Sequence, residues 1–73
     1  MATQIVMDLN GDSRYQFDAR DAEAVARAEK RFNELIGSGF IAAERTPAGE
    51  SRQVKSFDPA AKETLFFPRL VGG

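Results

Sequence analysis

Neither cysteine nor histidine occurs among the 73 residues. That removes the thiol nucleophile, the disulfide, the thiolate metal site and the commonest general base and metal ligand. Carboxylates, lysines, one tyrosine and the terminal carboxylate behind Gly72-Gly73 are left for chemistry. Asp18 and Asp21 are spaced as paired acid-base groups would be, but they stand just before an apolar-periodic run. Carboxylates there cap a helix and favour the positive end of its dipole, and Asp18 is read as the cap. Asp8 and Asp12 flank Asn10-Gly11 at a spacing far from that of a calcium loop and read as turn residues. A small enzyme using Tyr15 or a lysine would need a pocket of roughly several hundred cubic ångströms. A domain this short must spend its apolar groups on one core instead. The diglycine is a different matter. With glycine at about 7% of residues, two occupy the last two positions by chance in roughly 0.5% of chains. Glycine has no Cβ and a permissive backbone, which suits a tail threaded through a narrow channel to present its carboxylate. Gly72 and Gly73 are therefore the candidate residues of the tail, Gly73 through its own carboxylate.

The elements that must carry this tail follow from periodicity. Thr3 to Leu9 alternates with Ile5, Met7 and Leu9 on one face and Gln4 and Asp8 on the other, Val6 being the apolar exception. Asn10-Gly11 signals a type I′ hairpin, and Ser13 to Asp18 returns with Tyr15 and Phe17 inward. From Ala19 to Ile36 there is no glycine or proline, and Val25, Ala28, Phe32 and Leu35 line one helical face, widened by Ile36. Glu23 with Arg27 and Lys30 with Glu34 are placed for i,i+4 pairing. Gly37-Ser38-Gly39 is expected to end the helix through a left-handed glycine. Phe40 to Arg45 and Ser51 to Phe57 form a second hairpin around Thr46-Pro47-Ala48-Gly49-Glu50. Asp58 to Glu63 suits one short helical turn. Thr64 to Phe67 is the last strand, with Leu65 and Phe67 on the core side and Phe66 on the other, and Pro68 ends the ladder for want of an N–H.

The order strand, strand, helix, strand, strand, strand gives an α+β domain, a mixed sheet of four to five strands with one helix. If the last strand enters centrally, parallel to the first, the fold is a β-grasp. A plain antiparallel sheet crossed by a helix is the other arrangement. Residues 1–68 form the domain and 69–73 a flexible tail. Lys and Arg number 10 against 11 Asp and Glu, a net charge of -1 with the signs interspersed. No basic stripe for nucleic acid is present. Apolar runs of at most four residues fall far short of the roughly 20 that span a bilayer. The start Met1-Ala2-Thr3-Gln4 has no basic region or apolar core of a targeting signal. The expectation is a cytoplasmic monomer that meets neither membrane nor nucleic acid.

The last eight residues, Phe66-Phe67-Pro68-Arg69-Leu70-Val71-Gly72-Gly73, resemble the C-terminus of the small subunit of molybdopterin synthase and, less closely, those of the thiamine sulfur carrier and ubiquitin. The Phe-Phe-Pro start and the Gly-Gly end match at the same spacing. Arg69 stands where that family has a second proline, and Asp58 to Glu63 lacks the family's Gly-Asp turn. What the resemblance implies is a ubiquitin-like sulfur carrier, substrate rather than enzyme, that binds no cofactor of its own. A partner activating enzyme, using ATP and Mg²⁺, would adenylate the Gly73 carboxylate. Sulfur from a persulfide would then give a thiocarboxylate for a sulfur-accepting enzyme of molybdopterin or thiamine biosynthesis. In the modifier branch a thioester would pass Gly73 to a lysine of a protein target. Phe66, Pro68, Arg69, Leu70 and Val71 are the candidate partner-binding residues. Phe66 is either a docking residue on the open sheet face or a residue under the second hairpin, and Arg69 either guides the tail or is a solvated charge. A β-grasp interaction subunit whose diglycine is unused is the remaining alternative.

Overall fold

Asp21, not Asp18, caps the helix: its Oδ1 accepts from the N–H groups of Glu23 at 3.1 Å and Ala24 at 3.3 Å. Asp18 instead closes the turn before it, accepting from the Arg20 N–H at 2.9 Å. The helix thus begins at Ala22, three residues later than the apolar pattern predicts, because Asp18 holds Ala19 and Arg20 in a turn. At the other end Ser38 is the C-cap, and Gly39 takes the positive φ of 94° that a side chain would resist.

The computed structural model describes residues 1–69, and Leu70 to Gly73 lie outside the described residues. The elements are β1 (Ala2–Asp8), β2 (Gly11–Phe17), α1 (Ala22–Gly37), β3 (Phe40–Arg45), β4 (Ser51–Val54) and β5 (Glu63–Pro68). They build one five-stranded sheet in the order β2-β1-β5-β3-β4. β5 pairs parallel with β1 and antiparallel with β3, while both hairpins are antiparallel. One helix on a mixed sheet with first and last strands parallel at its centre is a β-grasp.

The core lies between α1 and one face of the sheet. Val6, Phe32, Ala42 and Phe66 form one buried cluster, and Ala2, Phe17 and Ala28 a second. Phe57 packs against both, its ring 6.2 Å from Phe17 and 5.9 Å from Phe32. This explains why β4 stops at Val54 instead of running to Phe57: the chain leaves the sheet edge to fold that ring over the core. Asp58 to Glu63 forms no helical turn. A single turn is closed there by the Ala61 N–H on the Asp58 carbonyl at 3.1 Å.

Two faces are the reverse of the expectation. In β1 the helix side carries Ala2, Gln4 and Val6, not Ile5, Met7 and Leu9. In β5 it carries Thr64 and Phe66, not Leu65 and Phe67. Gln4 can face the core because both polar atoms of its carboxamide are bonded there: Nε2 donates to the Ala28 carbonyl at 3.1 Å, and Oε1 accepts from Arg31 at 2.8 Å. In the first hairpin Leu9 and Asn10 take the turn, and only Gly11 has positive φ, 117°. A type I′ turn needs two such residues, so that expectation is corrected. The i,i+4 pairs Glu23/Arg27 and Lys30/Glu34 stay open. The ion pairs among the described residues are Arg20–Asp18, Arg45–Glu63 and Arg52–Glu44. An exposed pair recovers too little to hold two long side chains in place.

Candidate functional site

The segment leading to Gly72-Gly73 leaves the sheet from its central strand. Pro68 is paired with Phe40, and Ile41 with Phe67, so β5 ends beside the start of β3. Arg69, exposed, still donates its N–H to the Gly39 carbonyl at 3.3 Å. That bond anchors the last described residue to the glycine that ends the helix. Because β1 runs parallel to β5, the hairpin after β1 lies at this same end of the sheet.

Phe66 is no docking residue. It is 0% exposed, its ring edge-on to that of Phe32, and the proposal that it lies on the open face is corrected. The reason is parity. Val6, Ala42 and Phe66 lie side by side across β1, β3 and β5, and all three pack with Phe32. The neighbours of Phe66, Leu65 and Phe67, therefore face away from the helix. Ile5 and Ala43 flank Leu65 there, and Ile41 flanks Phe67. Met7 continues the row along β1, and Leu9, fully exposed, caps it in the hairpin turn.

The face away from the helix thus carries an apolar row of Met7, Ile41, Leu65 and Phe67, each partly exposed, packed around the buried Ile5, and the row runs to the strand end from which Arg69 departs. The sequence held the signal for it. Strict alternation of Ile5, Met7 and Leu9 identified one apolar face of β1, and packing by α1 decided that this face is the open one. Pro68 is exposed at the end of the row. Leu70, Val71, Gly72 and Gly73 lie outside the described residues.

The remaining candidates do not converge. Asp8 Oδ1 accepts from the Asn10 N–H at 2.7 Å, which makes it a turn residue. No group of three or more acidic, cysteine or histidine side chains could hold a metal ion among the described residues. Asp18 and Asp21 each serve the backbone. The Arg20 backbone N–H, and then its guanidinium, hold the Asp18 carboxyl below the ordinary carboxylate range. Tyr15 is covered by Arg31, whose guanidinium carbon lies 4.0 Å from the ring centre. No helix among the described residues is long and apolar enough to cross a membrane.

Fold and site together define the class: a β-grasp domain that offers an apolar sheet face beside the exit of its last strand. Comparisons with protein-family models, curated proteins and solved structures find no match for this chain.

Proposed function

We propose that this chain is a cytoplasmic ubiquitin-like sulfur carrier whose Gly73 carboxylate is activated by a partner enzyme. The observation that supports it is the course of β5. The central strand carries Leu65 and Phe67 on the open face and leads, through Pro68 and Arg69, toward Gly72-Gly73. An activating enzyme that covers the partly exposed Met7, Ile41, Leu65 and Phe67 gains apolar burial. The same contact directs the following residues into its active site.

A carboxylate oxygen of Gly73 attacks the α-phosphorus of ATP. A phosphorus–oxygen bond forms and pyrophosphate leaves, with the partner's Mg²⁺ and basic groups offsetting the charge. The sulfur of a partner's persulfide then attacks the acyl carbon and AMP leaves. A thiol cleaves the resulting acyl disulfide, leaving a thiocarboxylate on Gly73 and a disulfide on the thiol partners. Pro68, Arg69, Leu70 and Val71 act as the spacer between the docked sheet and the reacting group.

Intact-mass analysis tests this on the full chain incubated with the host's activating enzyme, ATP, Mg²⁺ and a sulfur donor. The expected product has one carboxylate oxygen replaced by sulfur. A Gly73–lysine isopeptide on another protein would assign the same activation to protein tagging instead. Absence of ATP–pyrophosphate exchange with every activating enzyme of the host would overturn both uses and leave an interaction subunit.

A further inference from the structure

The ladder between β3 and β5 runs one residue past the point where a proline would end it. Ile41 pairs with Phe67 and Phe40 with Pro68, so Gly39 comes next, opposite Arg69. Pro68 has no N–H to donate. Arg69 does donate, to the Gly39 carbonyl at 3.3 Å, and the pairing resumes beyond the proline with that single bond.

The acceptor of that bond is held from the helix. The Gly39 N–H donates to the Ile36 carbonyl at 3.1 Å, and the Ser38 N–H to those of Glu34 and Leu35 at 3.0 and 3.1 Å. Ser38 Oγ donates to the Glu34 carbonyl as well, at 2.9 Å. A Cβ on Gly39 would meet nothing within 4 Å, so glycine is required there by its φ of 94°, not by want of room. With that angle the chain turns from α1 into β3. Phe40, the next residue, packs against the cluster of Val6, Phe32, Ala42 and Phe66. Arg69 is thus tied to the end of the helix and through it to the core, although its own side chain is exposed.

We propose, on the footing of the carrier function, that Gly39 and Arg69 are positioning residues: their backbone bond fixes the base of the tail and so sets the reach of the Gly73 carboxylate from the docked sheet. Four residues follow Arg69, and fully extended they span at most roughly 13 to 14 Å. The carboxylate can meet only an activating site within that distance of the anchor. Without the bond the tail would begin at Pro68, and one more residue would have to be ordered each time the carboxylate attacks. Docking of the apolar row would be unaffected, since Met7, Ile41, Leu65 and Phe67 lie before the anchor along the sheet.

The test removes the donor and nothing else. The chain has no cysteine, so a synthetic segment from residue 61 onward can be ligated through a cysteine that desulfurisation then returns to Ala61, with an ester oxygen in place of the Arg69 amide nitrogen. In ATP–pyrophosphate exchange with the host's activating enzyme, the ester should lower the limiting rate about tenfold. The half-saturating concentration should stay within about twofold of that of the all-amide chain. Arg69→Ala, which keeps the N–H, should stay within about twofold in both. Deleting Val71 shortens the reach by about 3.5 Å. In that background the ester should instead raise the limiting rate at least about threefold, because releasing Arg69 restores the lost reach. Hydrogen exchange of the Arg69 amide in the unmodified chain should be slowed at least about tenfold. With the unmodified chain active, an unprotected Arg69 amide, an ester without effect on the limiting rate, an ester that raises only the half-saturating concentration, or equal slowing at both tail lengths would each overturn the positioning role and leave the carrier function standing. No exchange by the unmodified chain would overturn the carrier function, and the positioning role with it.

Discussion

The ring of Phe66 stands edge-on to the ring of Phe32, centroids 5.5 Å apart and planes at 74°. One ring comes from the central strand and the other from the helix, and both are almost completely buried. The aromatic pair Phe66-Phe67 is thus divided between two duties, core and surface. Phe66→Ala should destabilise the chain by about 3 to 5 kcal/mol through the lost burial and the cavity left. That is much of the total stability of a small domain. Urea unfolding followed by circular dichroism should show a lower midpoint at an unchanged m value.

Phe67→Ser should do the opposite. It removes an apolar side chain from the open face without opening the core, so the unfolding midpoint should move far less than in Phe66→Ala. If the row beside β5 docks the activating enzyme, pyrophosphate exchange should show a raised half-saturating concentration of the carrier with little change in the limiting rate. A Phe67→Ser chain that is activated as readily as wild type would remove the open face from the proposed function.

The tail separates chemistry from folding. Deleting Gly72 and Gly73 should leave the unfolding midpoint where it was, since neither contributes a side chain. It should abolish ATP-dependent exchange. Gly72→Ala should retain partial exchange, because one methyl narrows passage through a channel without removing the reacting carboxylate of Gly73.

Much of the fold is legible in the sequence, and the parts that are not share a cause. The helix face of Val25, Ala28, Phe32 and Leu35, the glycine stop at Gly39 and β3 from Phe40 to Arg45 follow from periodicity and local chemistry. The faces of β1 and β5 do not, because both faces of the central strands are apolar and alternation alone then carries no sign. Gln4 made the inward face of β1 look polar. Only its long-range bonds to Ala28 and Arg31 reveal it as a core residue. The helix start was misplaced for a related reason, as Asp18 and Asp21 have identical local chemistry and the turn through Ala19 and Arg20 decides between them. Of the candidate site, the diglycine is plain in the sequence, whereas the row of Met7, Ile41, Leu65 and Phe67 exists only once three strands lie side by side.

Gln4→Leu tests the buried bridge between sheet and helix. Leucine has similar bulk, but it leaves Nη1 of Arg31 without the Oε1 acceptor and frees Arg31 from one of its two anchors. A loss of about 1 to 3 kcal/mol is expected, together with a changed fluorescence of Tyr15 as Arg31 leaves its ring. Equal stability with unchanged emission would mean that the bridge contributes no net free energy.

The two acids before the helix should differ in what their replacement does to stability. Asp18 titrates below the ordinary carboxylate range when folded, so its bonds stabilise the native state above that range. The contribution is lost as the pH falls through the depressed value. Asp18→Asn should therefore flatten the acid limb of the thermal midpoint against pH. Asp21→Ala should cost about 1 kcal/mol near neutrality by stripping the cap. Carbon-detected NMR titration of the Asp18 carboxyl group gives an independent check.

The insertion of β5 between β1 and β3 also governs when the molecule can exist at all. During synthesis the first hairpin and the segment from α1 through β4 emerge with β1 and β3 each presenting a bare inner edge, and nothing made before residue 63 can zip them together. Closure waits until β5 has been made. Until then the two halves are joined only through pairings of long sequence separation still to come, the kind that forms slowly and leaves intermediates open to wrong partners. A chain cut short before β5 has no native state to fall into and is left to proteolysis. Every copy that does fold has therefore been translated at least through Pro68, so the sheet is complete only when its central strand has been made.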